Sequence, residues 1–339
     1  MRICLVGDFS TPDEARKVMA HHMLKELAKY NEVLSISIRD ICKVRTWREL
    51  KSFNPDIIHY IPGASTFSFL ITKIMKTYSN NAKTVMCSTL HGFHGFSHGF
   101  YCGVSSLSKN LIPLMKTDVI LVQSKQPEII FQNLKCNVKF FICSGVDIQR
   151  FTPASENKKK RLREKYGISR EKFVVLHIGS VRKWRNVDIL TEISNIPDIQ
   201  VVIVGRNSTK FENDIALELE KSGCKIINEY IPKIEEIYAL SDCYVFPTID
   251  PMGSIDIPLS VLEAMSVNLP VISTKFGGLE NIFEEKDGFL FTDTEMNFTK
   301  QIKKIRENAI EIKTRDLVIP YSWENIAIKL NQYYIELLR

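Results

Sequence analysis

The sequence predicts an α/β chain made of two Rossmann-like domains with parallel sheets. Three observations carry this. Short β-branched runs alternate with amphipathic helical stretches along the whole chain. Those runs are continuously apolar, which marks strands buried on both faces. The strand–helix pattern also stops at a polar, basic stretch, 152–172, and then begins again. A length of 339 residues with 45% apolar content suits two such domains, each able to bury a core unaided.

The elements follow in order. Residues 2–6 read as a buried strand, and 15–29 as a helix with Val18, Met19, Leu24 and Leu27 apolar. Strand-like runs occupy 33–38, 57–60, 84–88 and 118–123, most of them separated by helical candidates. After the basic stretch, which holds Lys158, Lys159, Lys160 and Arg161, strands are expected at 173–178, 200–204, 225–227 and 244–247. A helix near 259–266 leads into a strand at 270–274. Asn268 suits the left-handed position that ends this helix, and Pro270 follows it. The last helix, 323–338, is amphipathic and stands well beyond the final strand. The expected division is 1–150, 151–320 and a terminal segment 321–339.

Composition narrows the class. The high apolar content and a net charge of only +6 oppose disorder. No apolar run approaches the roughly 20 residues of a membrane span, and the first residues lack the apolar core of a secretion signal. Eight cysteines show no Cys-x-x-Cys pair or zinc-like spacing, so they are read as reduced and the protein as cytoplasmic. Charge is unevenly spread. Residues 1–150 carry 19 Lys and Arg against 11 Asp and Glu, whereas 151–339 carry 26 against 28. A basic first half suits an anionic partner, although a chance cluster of solvated lysines gives the same total. The basic residues are scattered and no reading-head motif is present, which argues against nucleic acid. Three His-Gly-Phe units fill 91–101. Glycines at that density suit a loop touching carbohydrate, lipid or membrane better than a metal cage.

Four features of the second half carry chemistry. Gly179-Ser180-Val181-Arg182-Lys183-Trp184-Arg185-Asn186 follows the strand 173–178 and opens a helix at 187–193. A glycine and three cations at such a turn make a phosphate site, with the helix N-terminus adding N–H donors; a solvated basic turn has the same composition. Gly205 closes the next strand, where a glycine permits close approach of backbone to a nucleotide. Asp256 and Pro258 open the helix 259–266, in which Glu263 either accepts the hydroxyls of a ribose or stands in solvent. Gly277 and Gly278 follow the next strand with their amides available to a ligand, and Leu279 and Glu280 border the same place.

In that order these features resemble the retaining glycosyltransferases of the family-4 type, the glycosyl transferases group 1, which have the GT-B fold. The resemblance runs over nearly the whole chain. Ser144-Gly145-Val146-Asp147 with Phe151 and Pro153 is similar to the family's entry into its second domain. Gly179 to Asp188 matches the Gly-Arg-(four residues)-Lys-Gly-Val-Asp segment without a gap. Glu263-Ala264-Met265 with Pro270-Val271, Gly277-Gly278-Leu279-Glu280, Asp287-Gly288-Phe289-Leu290 and Tyr321-Ser322-Trp323-Glu324 resemble its later motifs. Pro55-Asp56-Ile57-Ile58-His59 and Thr89-Leu90-His91-Gly92 match in the first half.

The resemblance implies parallel sheets facing a central cleft, with the terminal helix crossing back to the first domain. It implies a hexosyltransferase-type enzyme moving a sugar from a nucleotide-diphospho-sugar in the second domain to a lipid-linked or surface-glycan acceptor on the first. His91 and Arg185 are carried over as catalytic residues, Arg185 in place of the diphosphate-binding lysine, and Asp256 is expected to join them if the lengthened loop brings it to the sugar hydroxyls. Glu263 takes the ribose. Gly7, Arg16, Gly179, Arg182, Lys183, Gly205, Gly277, Gly278, Leu279 and Glu280 complete the expected donor site. One fixed donor aimed at the growing diphosphate charge is worth about 3 kcal/mol. No cofactor and no obligatory metal are expected. The basic first half and the apolar segment 67–75 suit peripheral contact with the cytoplasmic membrane face.

The chain departs from the pattern in four places. Ser180 replaces the arginine after the first glycine. Ile255 stands where the first of two paired glutamates belongs, with Asp256 one residue away. The interval from Pro247 to Glu263 is about four residues longer than usual, adding Asp250, Met252 and Gly253. The loop after the first strand has only Gly7 in place of a glycine pair, and Arg16 compensates. These departures keep open an alternative, a non-catalytic sugar-nucleotide-binding relative or partner subunit. A nucleotide-sugar epimerase is a third reading.

Overall fold

In the computed structural model of this chain, residues 1–80, 82–89, 111–205, 212–292, 295–307 and 310–339 are described. Among them twelve strands form two six-stranded sheets, and every ladder within each sheet is parallel. The first sheet comprises β1 (Arg2–Gly7), β2 (Glu32–Ser37), β3 (Ile57–Tyr60), β4 (Lys83–Ser88), β5 (Val119–Val122) and β6 (Val138–Phe140), in the order β2-β1-β3-β4-β5-β6. The second comprises β7 (Phe173–Ile178), β8 (Ile199–Val204), β9 (Lys225–Ile227), β10 (Cys243–Phe246), β11 (Val271–Ser273) and β12 (Phe289–Phe291), in the order β12-β11-β10-β7-β8-β9. Both are doubly wound. The order reverses beside β1 in one sheet and beside β7 in the other, and such switch points open crevices at the carboxyl ends of strands.

The chain packs as two units. One holds Met1–Gly145, Ile255–Ile257 and Trp323–Arg339; the other holds Val146–Ser254 and Pro258–Ser322. In the first, Cys4, Val6, Ile58, Met86 and Ile120 pack against Phe69 and Phe131. The terminal helix Trp323–Leu338 belongs to this unit: Trp323 stacks on His22 with ring centroids 4.9 Å apart, and Tyr334 bonds to His59. In the second, Val175, Val201, Ile203, Val245 and Ile272 meet Leu190, Phe298 and Ile302. Continuous apolar strands bury on both faces, as their composition requires.

Several elements begin and end where local chemistry places them. Helix Leu259–Ser266 ends before Asn268, which takes the left-handed conformation at φ 61°. Helix Thr66–Thr77 starts with a capping box between Ser65 and Ser68. Two expectations need correction. The basic stretch 152–172 contains helix Glu156–Lys165, capped by Ser155, and its Arg163 is buried with the guanidinium bonded to Leu240 O, Arg170 O and Asp242. The helix expected at 187–193 spans Ile189–Ser194 instead, because a 3-10 turn, Lys183–Arg185, and left-handed Asn186 come first. Among the described residues no helix is long and apolar enough to cross a membrane.

Candidate active site

The switch point of the second sheet lies between β7 and β10. The turn Lys183–Arg185 follows β7, and left-handed Asn186 donates its Nδ2 to Pro247 O at 3.2 Å, tying the turn to the end of β10. A second turn, Pro251–Gly253, packs on the first. A Cβ on Gly253 would lie 3.0 Å from Trp184 O and 2.3 Å from Thr248 Cγ2, so the contact requires glycine. The residues that lengthen this loop therefore brace the basic turn.

Arg185 lies over Gly179. A Cβ there would be 3.0 Å from Arg185 Nη1 and 3.1 Å from His177 Nε2. The Nε of Arg185 is shielded from solvent without a hydrogen-bond partner, and the side chain forms no ion pair among the described residues. Burial pulls its guanidinium down to about 10, a shift that Tyr244 opposes and Arg182 reinforces. A partly desolvated cation without a counter-ion is costly, and an anionic ligand relieves that cost.

Two neighbours set the electrostatics. His177, fully buried on β7, has Nδ1 3.0 Å from Val245 O. A carbonyl only accepts, so Nδ1 carries the proton and Nε2, without a partner among the described residues, is a bare acceptor. Burial pulls this imidazole down to about 4. Tyr244 on β10 bonds Ile178 O at 3.4 Å and is pushed well up by burial, with Arg185 and Glu263 acting on it in opposite directions. Glu263, half-buried in helix Leu259–Ser266, accepts the Tyr238 hydroxyl at 2.6 Å. Tyr238 and Tyr244 have ring centroids 5.9 Å apart. The second unit thus brings Gly179, Arg185 and Glu263 into one neighbourhood.

The other expected residues are placed differently. Arg182 sits over the Trp184 ring at 5.7 Å, and Lys183 is exposed with its amide on Glu212. Gly205 donates its amide to Ile227 O, extending the sheet, which leaves no donor for a nucleotide. Gly277 is left-handed at φ 60°, and Gly278 precedes the single turn Leu279–Ile282. Leu279 is fully buried with its amide on Phe276 O, so neither group is left for a ligand; Glu280 is exposed. In the first unit, the space over Gly7 is taken by Ala20 and Phe9, at 3.0 and 3.2 Å from a Cβ, and Arg16 bonds Pro62 O at 3.3 Å. Asp256 is fully buried in that same unit, its amide donating to Thr89 O at 2.8 Å. His91 and the rest of 91–101 lie outside the described residues. His177, Tyr238 and Tyr244 escape sequence reasoning because polar side chains on fully apolar elements look like core; Gly253 was visible only as part of a longer loop.

Residues 158–325 match the family described as Glycosyl transferases group 1. The sulfoquinovosyl transferase SQD2 of Arabidopsis thaliana is 28% identical over 182 residues, 51% of this chain and 34% of that protein. An Escherichia coli UDP-Gal:alpha-D-GlcNAc-diphosphoundecaprenol alpha-1,3-galactosyltransferase is 29% identical over 189 residues, 51% of this chain and 47% of that protein. The chain thus spans about a third to a half of these relatives' lengths. The crystal structure of Anabaena Alr3699/HepE in complex with UDP superposes with a TM-score of 0.78 at 13% identity, covering 99% of this chain and 100% of that one. Residues 158–325 match the glycosyl transferases group 1, and the chain has the GT-B fold.

Proposed function

We propose that the chain moves a sugar from a uridine-diphosphate sugar to a lipid-linked or surface-glycan acceptor, with retention at the anomeric carbon. One observation carries the reading: Arg185 is a half-buried cation with a shielded Nε and no counter-ion among the described residues, at the carboxyl ends of β7 and β10 and near Glu263. When the bond from sugar to diphosphate breaks, negative charge grows on the leaving phosphate. A cation already partly desolvated and fixed in place meets that charge with little reorganisation, which lowers the barrier. Glu263, held by Tyr238, is then placed to accept the ribose hydroxyls.

The uridine follows the relatives. HepE was solved with UDP, and the E. coli relative is named for UDP-Gal. Retention rests on the family-4 resemblance. The lipid-linked acceptor draws on the diphosphoundecaprenol in that same relative's name and on the first unit's surface. There Phe67 and Leu70 of helix Thr66–Thr77 are exposed, as are Leu111 and Leu114, and Lys73 Nζ reaches Leu114 O at 2.8 Å. Apolar side chains among lysines suit an anionic membrane face, where each basic residue contributes about 1 kcal/mol. The positive charge is supplied by Arg182, Lys183 and Arg185, and no metal is required in this reading.

UDP binding by calorimetry tests it, followed by transfer from UDP-sugars in the presence of a metal chelator. Arg185→Ala is expected to weaken UDP binding about 10- to 100-fold, the worth of a charge-assisted contact. Unchanged binding removes Arg185 from the site. The reading as a non-catalytic binder rests on Ser180 and Ile255, and UDP binding without hydrolysis or transfer identifies it.

A further inference from the structure

The 3-10 turn Lys183–Arg185 is closed by the Arg185 amide, which donates to Arg182 O at 3.0 Å. In that geometry residues three apart stand one above the other, so Arg182 and Arg185 leave the same edge of the turn. Their charges act on each other: Arg182 pulls the Arg185 guanidinium down beyond the effect of burial. Two like charges on one edge repel, and something must hold them there.

Trp184 does so. Its indole lies against the Arg182 guanidinium, 5.7 Å from the ring centroid, within the range of a cation–π contact. Trp184 is half-buried, and its backbone is seated on the turn Pro251–Gly253, where its carbonyl would be 3.0 Å from a Cβ on Gly253. The residue is thus anchored through its main chain while its ring carries the arginine. A surface arginine resting on an indole explains the ring contact but not the placement beside a second guanidinium. The site also has a direction. Glu263 accepts the Tyr238 hydroxyl, Tyr238 adjoins Tyr244, and Tyr244 bonds Ile178 O beside Gly179, over which Arg185 lies. Arg185 is therefore the cation nearer to Glu263 in this row of contacts, and Arg182 extends it.

We propose that Trp184 is a positioning residue for the donor: its indole holds Arg182 beside Arg185 so that the two guanidiniums span a diphosphate. Arg185 takes the phosphate next to the ribose, and Arg182 takes the outer one. The inference rests on the donor site proposed above and adds to it a preference for a diphosphate over a monophosphate.

Calorimetry on the whole chain with UDP and with UMP tests it. The readout is the ratio of the two affinities, because damage to the turn weakens both nucleotides alike. Trp184→Leu is expected to lower the UDP-to-UMP ratio about two- to fivefold, the worth of an exposed cation–π contact, with UMP affinity kept. Trp184→Phe keeps a ring face and most of the ratio. Arg182→Ala lowers it about tenfold. Adding Trp184→Leu to Arg182→Ala lowers it no further, since the indole acts through that arginine. A ratio unchanged by Trp184→Leu, an equal loss for both nucleotides, or additive effects of the two substitutions overturn the proposal. UDP binding that depends on Arg185 while the ratio ignores Trp184 leaves the donor site standing without this role. A wild-type chain that binds neither nucleotide removes both.

Discussion

Arg185 and Gly179 are in such close contact that a Cβ on the glycine would lie 3.0 Å from Nη1 and 3.3 Å from Cζ of the guanidinium. The glycine therefore sets where the charge stands. Gly179→Ala is expected to displace the guanidinium by a few tenths of an ångström and to weaken UDP binding about tenfold, while the thermal midpoint moves little. Calorimetry and a melting curve on the same sample check it. Equal UDP affinity in the variant means that the position of Arg185 does not matter to the nucleotide.

Tyr238 and Glu263 give a second test. The hydroxyl holds the carboxylate at 2.6 Å while the tyrosine ring packs edge-on against Phe151 at 5.5 Å. Tyr238→Phe keeps the ring and removes the hydrogen bond. Wild type is expected to prefer UDP over 2′-deoxy-UDP about tenfold, the worth of one hydrogen bond to a charged group. Glu263→Ala brings that ratio to near one, and Tyr238→Phe falls between. A ratio insensitive to Glu263 shows that the ribose lies elsewhere.

How far the sequence reached depends on whether a residue's task was local. Helices Leu259–Ser266 and Trp323–Leu338 lie where periodicity and end signals put them, since Asn268 and Pro270 act within a few residues. Strand β6 is mostly exposed with a lysine at its centre, and β12 was absorbed in the Asp287-Gly288 motif, so neither stood out as the equally short β9 and β11 did. Arg163 looked like part of a solvated basic run because its partner Asp242 is 79 residues away. The glycines divide in the same way. Those at 7 and 205 suggested room for a nucleotide, yet Gly7 makes room for Ala20 and Gly205 extends a strand ladder. Gly179 and Arg185 are six residues apart, close enough for a motif to hold both. His177 and Tyr244 come from different strands, and only the sheet joins them.

Acid stability follows from two buried histidines. Burial pulls His59 down to about 3 and His177 to about 4, against 6.5 for an ordinary imidazole. As pH falls below 6.5 the unfolded chain takes up these protons and the folded chain does not. Stability is therefore full above that value and lost below it, down to about pH 4 for His177 and about 3 for His59. Each contributes a slope of about 1.4 kcal/mol per pH unit in its window. Urea unfolding across the window is expected to show the loss, and His177→Gln to remove about half of the histidine slope. An unaltered slope means that His177 titrates normally in the folded chain.

Gly145 carries the last prediction, in the first unit. A Cβ there would lie 2.7 Å from Ile326 Cδ1 and 2.8 Å from Cε3 of Trp323, both at the start of the terminal helix. The motif around residue 145 announced a domain junction, and its glycine answers to an indole 178 positions later. Gly145→Ala is expected to cost about 1–3 kcal/mol through overpacking. The strain falls on the helix, so amides of Trp323–Leu338 should exchange with solvent faster while UDP affinity, which the proposed function assigns to the second unit, is retained. Trp323→Leu opens space at the same spot. Combined with Gly145→Ala it should cost less than the two single changes added together, since the residues share one contact. Strict additivity, or a Gly145→Ala variant as stable as wild type, shows that the helix does not rest on this glycine.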